Sequence, residues 1–322
     1  LPLETEGLDE RDAALAHAIV DAVARRWITL EFLLNQSLRQ PLAELEPALQ
    51  GVLLTGGAQV LFFDRIPVHA AIDESVELAK IMVRAGAAAV TNAVLRKLAA
   101  AKTDEPPTAG TGAARDLLTR DRLPLSDGRL LRLVSPLLPE TEIERWAVAT
   151  SHPRWLVGRW KSQFGADRAA ELCLHGLASP PTILNTAHCK ESPPAECIPH
   201  RRAGSHVFAG TRGSLVQLLR ERGDVWVQDP ASSLAIASVS GLKPRMIVDA
   251  CAGQGTKTRQ LAAVFPEASL IASDTDPGRF ATLRATFEGH PRIEVIPARM
   301  LLQRAHGAGG AAQSRGLHHR PH

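Results

Sequence analysis

Residues 247–258, Ile-Val-Asp-Ala-Cys-Ala-Gly-Gln-Gly-Thr-Lys-Thr, run from an apolar stretch through an acid to small residues and a helix start. In an open α/β sheet this order presents a nucleotide-like ligand at the carboxyl end of the first strand. Gly253 and Gly255 allow the backbone to turn sharply and approach a ligand with no Cβ in the way. The free N–H groups of a helix over 256–265 favour an acceptor-rich ligand at the same place. A second apolar strand over 268–273 ends on Asp274. An acid at that tip, roughly 20 residues beyond the glycine loop, is placed to accept two ribose hydroxyls.

Elimination narrows the ligand. A phosphate-cradling loop needs glycine where Cys251 and Thr256 stand, so the Lys257-Thr258 pair does not make one. A dinucleotide fingerprint needs a third small residue where Thr258 stands, which makes it a poor fit. S-adenosylmethionine has no phosphate to cradle and needs only the small-residue loop, Cys251, Ala252, Gly253, Gln254, Gly255, Thr256 and Lys257, and the ribose acid Asp274. The competing structural reading is a tight strand-to-helix turn that binds nothing.

The elements that position this site follow from periodicity. Met246, Ile247 and Val248 read as a short buried parallel strand, and Phe280, Leu283 and Phe287 give 277–287 a helical period. Upstream, residues 9–101 read as helices only, with Leu15, Ile19, Ala22 and Val23 at helical spacing and Thr29 able to cap a segment through Arg39. Helices are also expected over 68–83 and 87–100, and the whole forms an autonomous all-α domain. Residues 102–135, rich in Pro, Gly and Thr, read as a linker around one short helix at 113–119. Residues 136–164 are helical again, 180–207 irregular, and 214–222 helical. The stretch 304–322, with three arginines, four histidines and no apolar period, is expected to be a disordered tail.

Composition sets bounds. A chain of 322 residues with 45% hydrophobic and 22% charged residues suits a soluble protein of two or three domains. The net charge of +3 and a pI near 8.8 tolerate an anionic partner such as nucleic acid without requiring one. The longest nearly uncharged run, 45–63, holds Pro47 and three glycines and cannot span a bilayer, so no membrane partner is expected. The acidic, mixed amino end shows no signal peptide, and four cysteines without framework spacing point to a reducing cytoplasm. A monomer is expected.

Four ordered blocks carry a family resemblance. They are Gln59-Val-Leu-Phe-Phe-Asp-Arg-Ile-Pro-Val-His-Ala-Ala-Ile-Asp-Glu-Ser-Val with Thr91-Asn-Ala-Val-Leu-Arg; Ser151-His-Pro-Arg-Trp-Leu-Val through Phe164-Gly; Gly223-Asp-Val-Trp-Val-Gln-Asp-Pro-Ala-Ser-Ser; and residues 249–258. Together the chain resembles the Sun-family ribosomal RNA cytosine-5 methyltransferases, whose bacterial branch carries a NusB-like helical domain before the catalytic fold. The resemblance places the methionine part of the cofactor against residues 251–257 and its ribose on Asp274, with Arg279 where the family has an arginine. Gly253-Gln254 replaces the family's Ala-Pro, Thr256 replaces its Gly, and the surroundings of Asn185 do not reproduce its Arg-Val-Asn segment.

Cytosine carbon 5 becomes nucleophilic only after a cysteine thiolate adds to carbon 6. The family supplies that thiolate from a Thr-Cys-Ser-type segment and a nearby acid from an Asp-Ala-Pro-Cys-type segment, and this sequence contains neither. Cys251 would face the methionine moiety as a small packed side chain, and Cys173 lies on an apolar helix face. Cys189 and Cys197, with His188 and His200, match no common zinc spacing, so no metal is expected. For RNA, Arg154, Trp155, Arg159 and Lys161, with Trp160, interleave cations and aromatics, although an amphipathic helix packing its tryptophans gives the same pattern. Arg65, His69, Arg96 and Lys97 are a second candidate surface.

The expected fold is an all-α NusB-like domain at 1–101, a linker at 102–135, a bridging RNA-binding subdomain at 136–212, and an incomplete α/β Rossmann-like S-adenosylmethionine-dependent methyltransferase domain at 213–303. The family fit stops near residue 300, so a truncated or frame-shifted chain is expected, catalytically incomplete, with small-subunit ribosomal RNA as partner. The alternative is a non-catalytic, antitermination-type RNA-binding protein with a vestigial cofactor fold.

Overall fold

The computed structural model describes residues 3–301 and 303, so the tail expected over 304–322 lies outside the described residues. The chain divides into two compact units at Ser179 and Pro180.

The first unit opens with α1 (Glu10–Asn35), whose amino end is capped by Asp9 accepting the Asp12 N–H at 2.8 Å. A short 3-10 turn at Leu42–Glu44 leads to α2 (Pro47–Phe62), α3 (Val68–Met82) and α4 (Ala85–Ala100). Helix α2 is apolar all round and therefore central. A Cβ on Gly56 would lie 2.5 Å from Ser75 Oγ and 2.7 Å from Leu95, so glycine lets α3 and α4 close on it.

The next segment departs from the expected linker. It folds as β1 (Thr108–Ala109), α5 (Ala114–Leu117), β2 (Arg122–Pro124) and β3 (Arg129–Arg132), an antiparallel sheet of order β1-β3-β2. Leu118, Leu123, Leu131 and Leu133 bury into the helical core and supply the stability that the segment's weak periodicity conceals. Helices α6 (Glu142–Thr150), α7 (Arg154–Phe164) and α8 (Ala166–Leu177) complete the unit. A single apolar core runs from Leu30 to Cys173, so residues 9–101 pack as one part of a larger body.

One long-range contact explains a second departure. Helix α1 does not restart at Thr29; it is continuous with a break at Arg26 (φ −114°, ψ 16°). Ser151, in the left-handed region at the end of α6, accepts the freed N–H of Ile28 at 3.0 Å, and Thr29 donates its hydroxyl to Val148 O at 2.6 Å.

The second unit begins where the sequence reads as irregular. Short strands β4 (Ile183–Asn185), β5 (Cys197–Pro199) and β6 (Ser205–Phe208), with α9 (Arg212–Glu221) and β7 (Trp226–Val227), form an antiparallel sheet of order β5-β6-β4-β7. After α10 (Pro230–Ala237) come β8 (Met246–Asp249), α11 (Thr256–Val264), β9 (Ser269–Ala272), α12 (Pro277–Thr286) and β10 (Ile293–Val295). The last three strands are parallel, in the order β10-β9-β8, with helices between them. Strand β9 is central and buried. Strand β8 is not: Met246 is 62% and Val248 50% exposed, because β9 is its only partner among the described residues. Among the described residues no helix is long and apolar enough to cross a membrane.

Candidate functional site

The loop from Asp249 to Thr256 sits at the carboxyl end of β8, with Asp274 just past the end of β9. Gly253 has φ +59° with nothing within 4 Å of a Cβ built on it. Gly255 has φ +97°, and a Cβ there would run into the Phe287 ring and lie 3.1 Å from Leu283. One glycine therefore opens the loop, and the other lets α11 sit down on α12.

Backbone bonds fix the loop. Ala252 N–H donates to Ser273 O at 2.9 Å, Ser273 N–H to Asp249 O at 2.9 Å, and Gly255 N–H to Ala252 O at 2.9 Å. Asp274 accepts the Asp276 N–H at 2.9 Å through one oxygen and the Gly253 N–H at 2.8 Å through the other. The Asp276 amide first, then the Gly253 amide, hold its carboxyl below the usual aspartate range. Asp276 caps α12 by accepting the Arg279 N–H at 2.8 Å, and Arg279 stands close enough to Asp274 to favour its charge further. Loop and acid thus meet as the spacing predicts. Cys251 is exposed and not packed, since it sits on the outer side of the turn ahead of Ala252, which is the buried residue.

Two features escape sequence reasoning. Thr258, which breaks the dinucleotide pattern, is fully buried and donates to Asp249 Oδ2 at 2.7 Å. A buried amide chain also braces α11: Asn185 and the Trp226 indole both donate to Gln228 Oε1 at 2.8 Å, Gln228 donates to Gln260 at 2.7 Å, and Gln260 donates to Ser233 O at 3.0 Å. Only the order Trp226-Val-Gln228 within a family-like block signalled it.

The other candidates separate clearly. On α7, Arg154 pairs with Glu144 and Lys161 with Glu142, both at 2.7 Å, and Trp160 lies edge-on to His152 at 5.3 Å against the core. Trp155, 67% exposed, and Arg159 remain open one helical turn apart. His69 and Arg96 share one hollow with Asp73. Burial pushes the Cys173 thiol up to about 11, and also raises Cys189 and Cys197, which pack on Leu184, Phe208 and Val225. His188 stacks on the Trp226 ring.

Comparison with known proteins gives these elements a common frame. Residues 1–100 match the model of the NusB family. The chain is 28% identical to ribosomal RNA small subunit methyltransferase B of Pseudomonas putida over 302 residues, covering 89% of this chain and 61% of that protein. The proteins of the same name from Pseudomonas syringae pv. tomato and Vibrio cholerae are 29% and 28% identical, each across 89% of this chain and across 59% and 61% of their own lengths. The chain is similar along most of its length to proteins of that name. It spans about three fifths of the length of these relatives, 61%, 59% and 61%. The crystal structure of PH0851 has the same fold over 90% of this chain and 62% of its own, with a TM-score of 0.60 at 15% identity. A helical NusB domain thus precedes a mixed α/β region consistent with a methyltransferase fold.

Proposed function

We propose that residues 246–287 bind S-adenosylmethionine, and that the chain is a cofactor- and RNA-binding part of a cytosine-5 methyltransferase acting on small-subunit ribosomal RNA. The observation that carries this reading is the Asp274–Gly253 bond, which sets the ribose acid against the glycine loop at 2.8 Å. The residues present fit the group. Gly253 faces open space, and each Asp274 oxygen spends one acceptor site on a backbone N–H and keeps another for a hydroxyl. The opening turn of α11, at Thr256 and Lys257, adds N–H donors pointing at the same place. When bound, the cofactor supplies an electrophilic methyl group.

The chain's own residues do less for the second half of the reaction. Three of its thiols are raised by burial, and Cys251 stands in the cofactor loop itself. None is set to add to a cytosine ring, so on its own the chain holds cofactor and RNA without turning over. The open Trp155–Arg159 pair on α7 favours, as a second reading, a chain whose role is RNA binding alone. Calorimetry decides between the two. S-adenosylmethionine should bind the chain, and Asp274→Asn should weaken binding about tenfold or more, because a charge-assisted hydrogen bond is lost. No heat of binding to the unaltered chain would leave the RNA-binding reading.

A further inference from the structure

The second unit holds a cleft of about 920 Å³ that the site above does not use. One wall is α11, where Arg259, Ala262 and Ala263 line the cleft at the spacing of a single helix face. The facing wall is built from the segments that carry Lys190 and Trp226. Asp224 ties these segments together, accepting the Lys190 N–H at 2.8 Å and the Arg222 Nε–H at 2.7 Å. Pro266 and Arg292, which also line the cleft, stand just before β9 and β10, so it opens toward the amino ends of those strands. The glycine loop lies at the opposite, carboxyl end of the sheet.

The charges in the cleft are unevenly matched. Its acids are engaged: Asp224 and Glu191 pair with Arg222, and Glu221 accepts the Gln217 amide at 2.8 Å. Arg292 is engaged as well, donating to the carbonyls of Ala262, Phe265 and Ala268. Arg259 is half-buried and has no hydrogen-bond or ion-pair partner among the described residues, yet none of its nitrogens is sealed from solvent. Burial lowers its pKa, and no acid offsets that effect. The Lys190 ammonium is also unpaired among the described residues. Between these cations His188 lies parallel to the Trp226 ring, at 4° with centroids 6.3 Å apart. Trp226 is 6% exposed and His188 half-buried, so His188 is the member of the pair that a base can meet.

We propose that this cleft seats a single-stranded stretch of RNA, with Arg259 and Lys190 on successive phosphates and a base stacked on His188. Unpaired cations on two facing walls suit the repeated charges of a strand, whereas a free mononucleotide calls for donors converging on one phosphate. A nucleotide held here lies at the far end of the sheet from residues 249–256, so the cleft anchors the strand and does not present the base to be methylated. This seat rests on the reading that the chain binds RNA, and is independent of S-adenosylmethionine binding.

The test is fluorescence anisotropy of the whole chain with a labelled single-stranded RNA of about ten nucleotides. Arg259→Gln should weaken binding about tenfold and lower the slope of log affinity against log salt by about 0.7, and Arg259→Lys should restore the slope. His188→Ala should weaken binding about fivefold or more with the slope unchanged. Because the Arg259 side chain bonds to nothing, Arg259→Gln should melt at the parental temperature. In the unaltered chain, photocrosslinking of a thiouridine-bearing strand should tag the segment that carries His188, and cytidine monophosphate should not displace the strand. Parental affinity and slope in both Arg259→Gln and Lys190→Gln, crosslinks confined to other segments, or displacement by cytidine monophosphate would overturn the proposal. A chain that binds no RNA removes the RNA reading and this seat together, whereas binding that ignores these variants removes the seat alone.

Discussion

The Thr258 hydroxyl donates to the Asp249 carboxylate at 2.7 Å, latching the first turn of α11 to the end of the strand it follows. Because Thr258 is fully buried, no water can replace it. Thr258→Val keeps the shape, removes the donor and leaves a half-buried carboxylate oxygen unsatisfied. Urea unfolding should show a loss of about 1–2 kcal/mol, with weaker S-adenosylmethionine binding as the loop loosens. An unchanged midpoint would mean the latch is not used.

The two loop glycines should respond differently to alanine. Gly253→Ala meets open space and carries only the penalty of a left-handed backbone, about 1 kcal/mol. Gly255→Ala carries that penalty and also drives a methyl into Phe287 and Leu283, so its loss should be about 2–4 kcal/mol. Calorimetric melting of both variants measures the difference, and equal melting temperatures would contradict the packing described.

Acid should act on the second unit through Asp224. Arg222 holds this carboxylate at 2.7 Å and, as the largest influence, lowers its pKa from the usual 3.8 to about 2. A depressed folded pKa contributes stability that is fully present above 3.8 and is lost as pH falls toward about 2. Asp224→Asn should therefore flatten the acid limb of the stability profile in that window while leaving a constant deficit at neutral pH. A variant curve parallel to the parent through the acid range would refute the assignment.

RNA binding should depend on the open face of α7. Trp155→Ala should weaken affinity for a small-subunit ribosomal RNA fragment by about 1–3 kcal/mol if a base stacks there. Arg159→Ala should reduce the slope of log affinity against log salt by about 0.7. Lys161→Ala should do less, since Glu142 already neutralises it at 2.7 Å. Fluorescence anisotropy over a salt series reads all three, and an Arg159→Ala slope equal to the parent's would remove that residue from the interface.

Methyl transfer is the sharpest test of the chemistry. Incubated with labelled S-adenosylmethionine and unmodified small-subunit ribosomal RNA, the chain should incorporate no label at cytosine carbon 5, with a full-length relative as the positive control. Three of its thiols are raised by burial, and the fourth, Cys251, sits in the glycine loop. Stoichiometric product would point to Cys251, which the Cys251→Ser variant would then silence.

The parallel unit was the most legible part of the sequence, because Gly253, Gly255 and Asp274 mark the turn and the strand tip by residue type and spacing alone. The helices of the first unit were legible for the same reason, through apolar spacing. Strands β1 to β3 were not: pieces of two to four residues are too short to show alternation, and their stability comes from leucines whose partners lie in distant helices. Contacts that fix the site's scaffold, such as Gln228 to Gln260 across 32 residues, carry no local signal. The break at Arg26 was hidden for a similar reason, since its cap, Ser151, is 123 residues from the Ile28 amide it satisfies.

That cap has a practical consequence for dissecting the molecule. The NusB-family match ends at residue 100, but the carbonyl of Val148 and the hydroxyl of Ser151 finish the second half of α1 from outside the matched region. Cutting the gene at the family boundary would strand the Ile28 amide and the Thr29 hydroxyl and strip Trp146 from the leucines it covers. The natural scissor point is Ser179, where the first compact unit closes. A clone ending there keeps the helix and its borrowed cap in one piece.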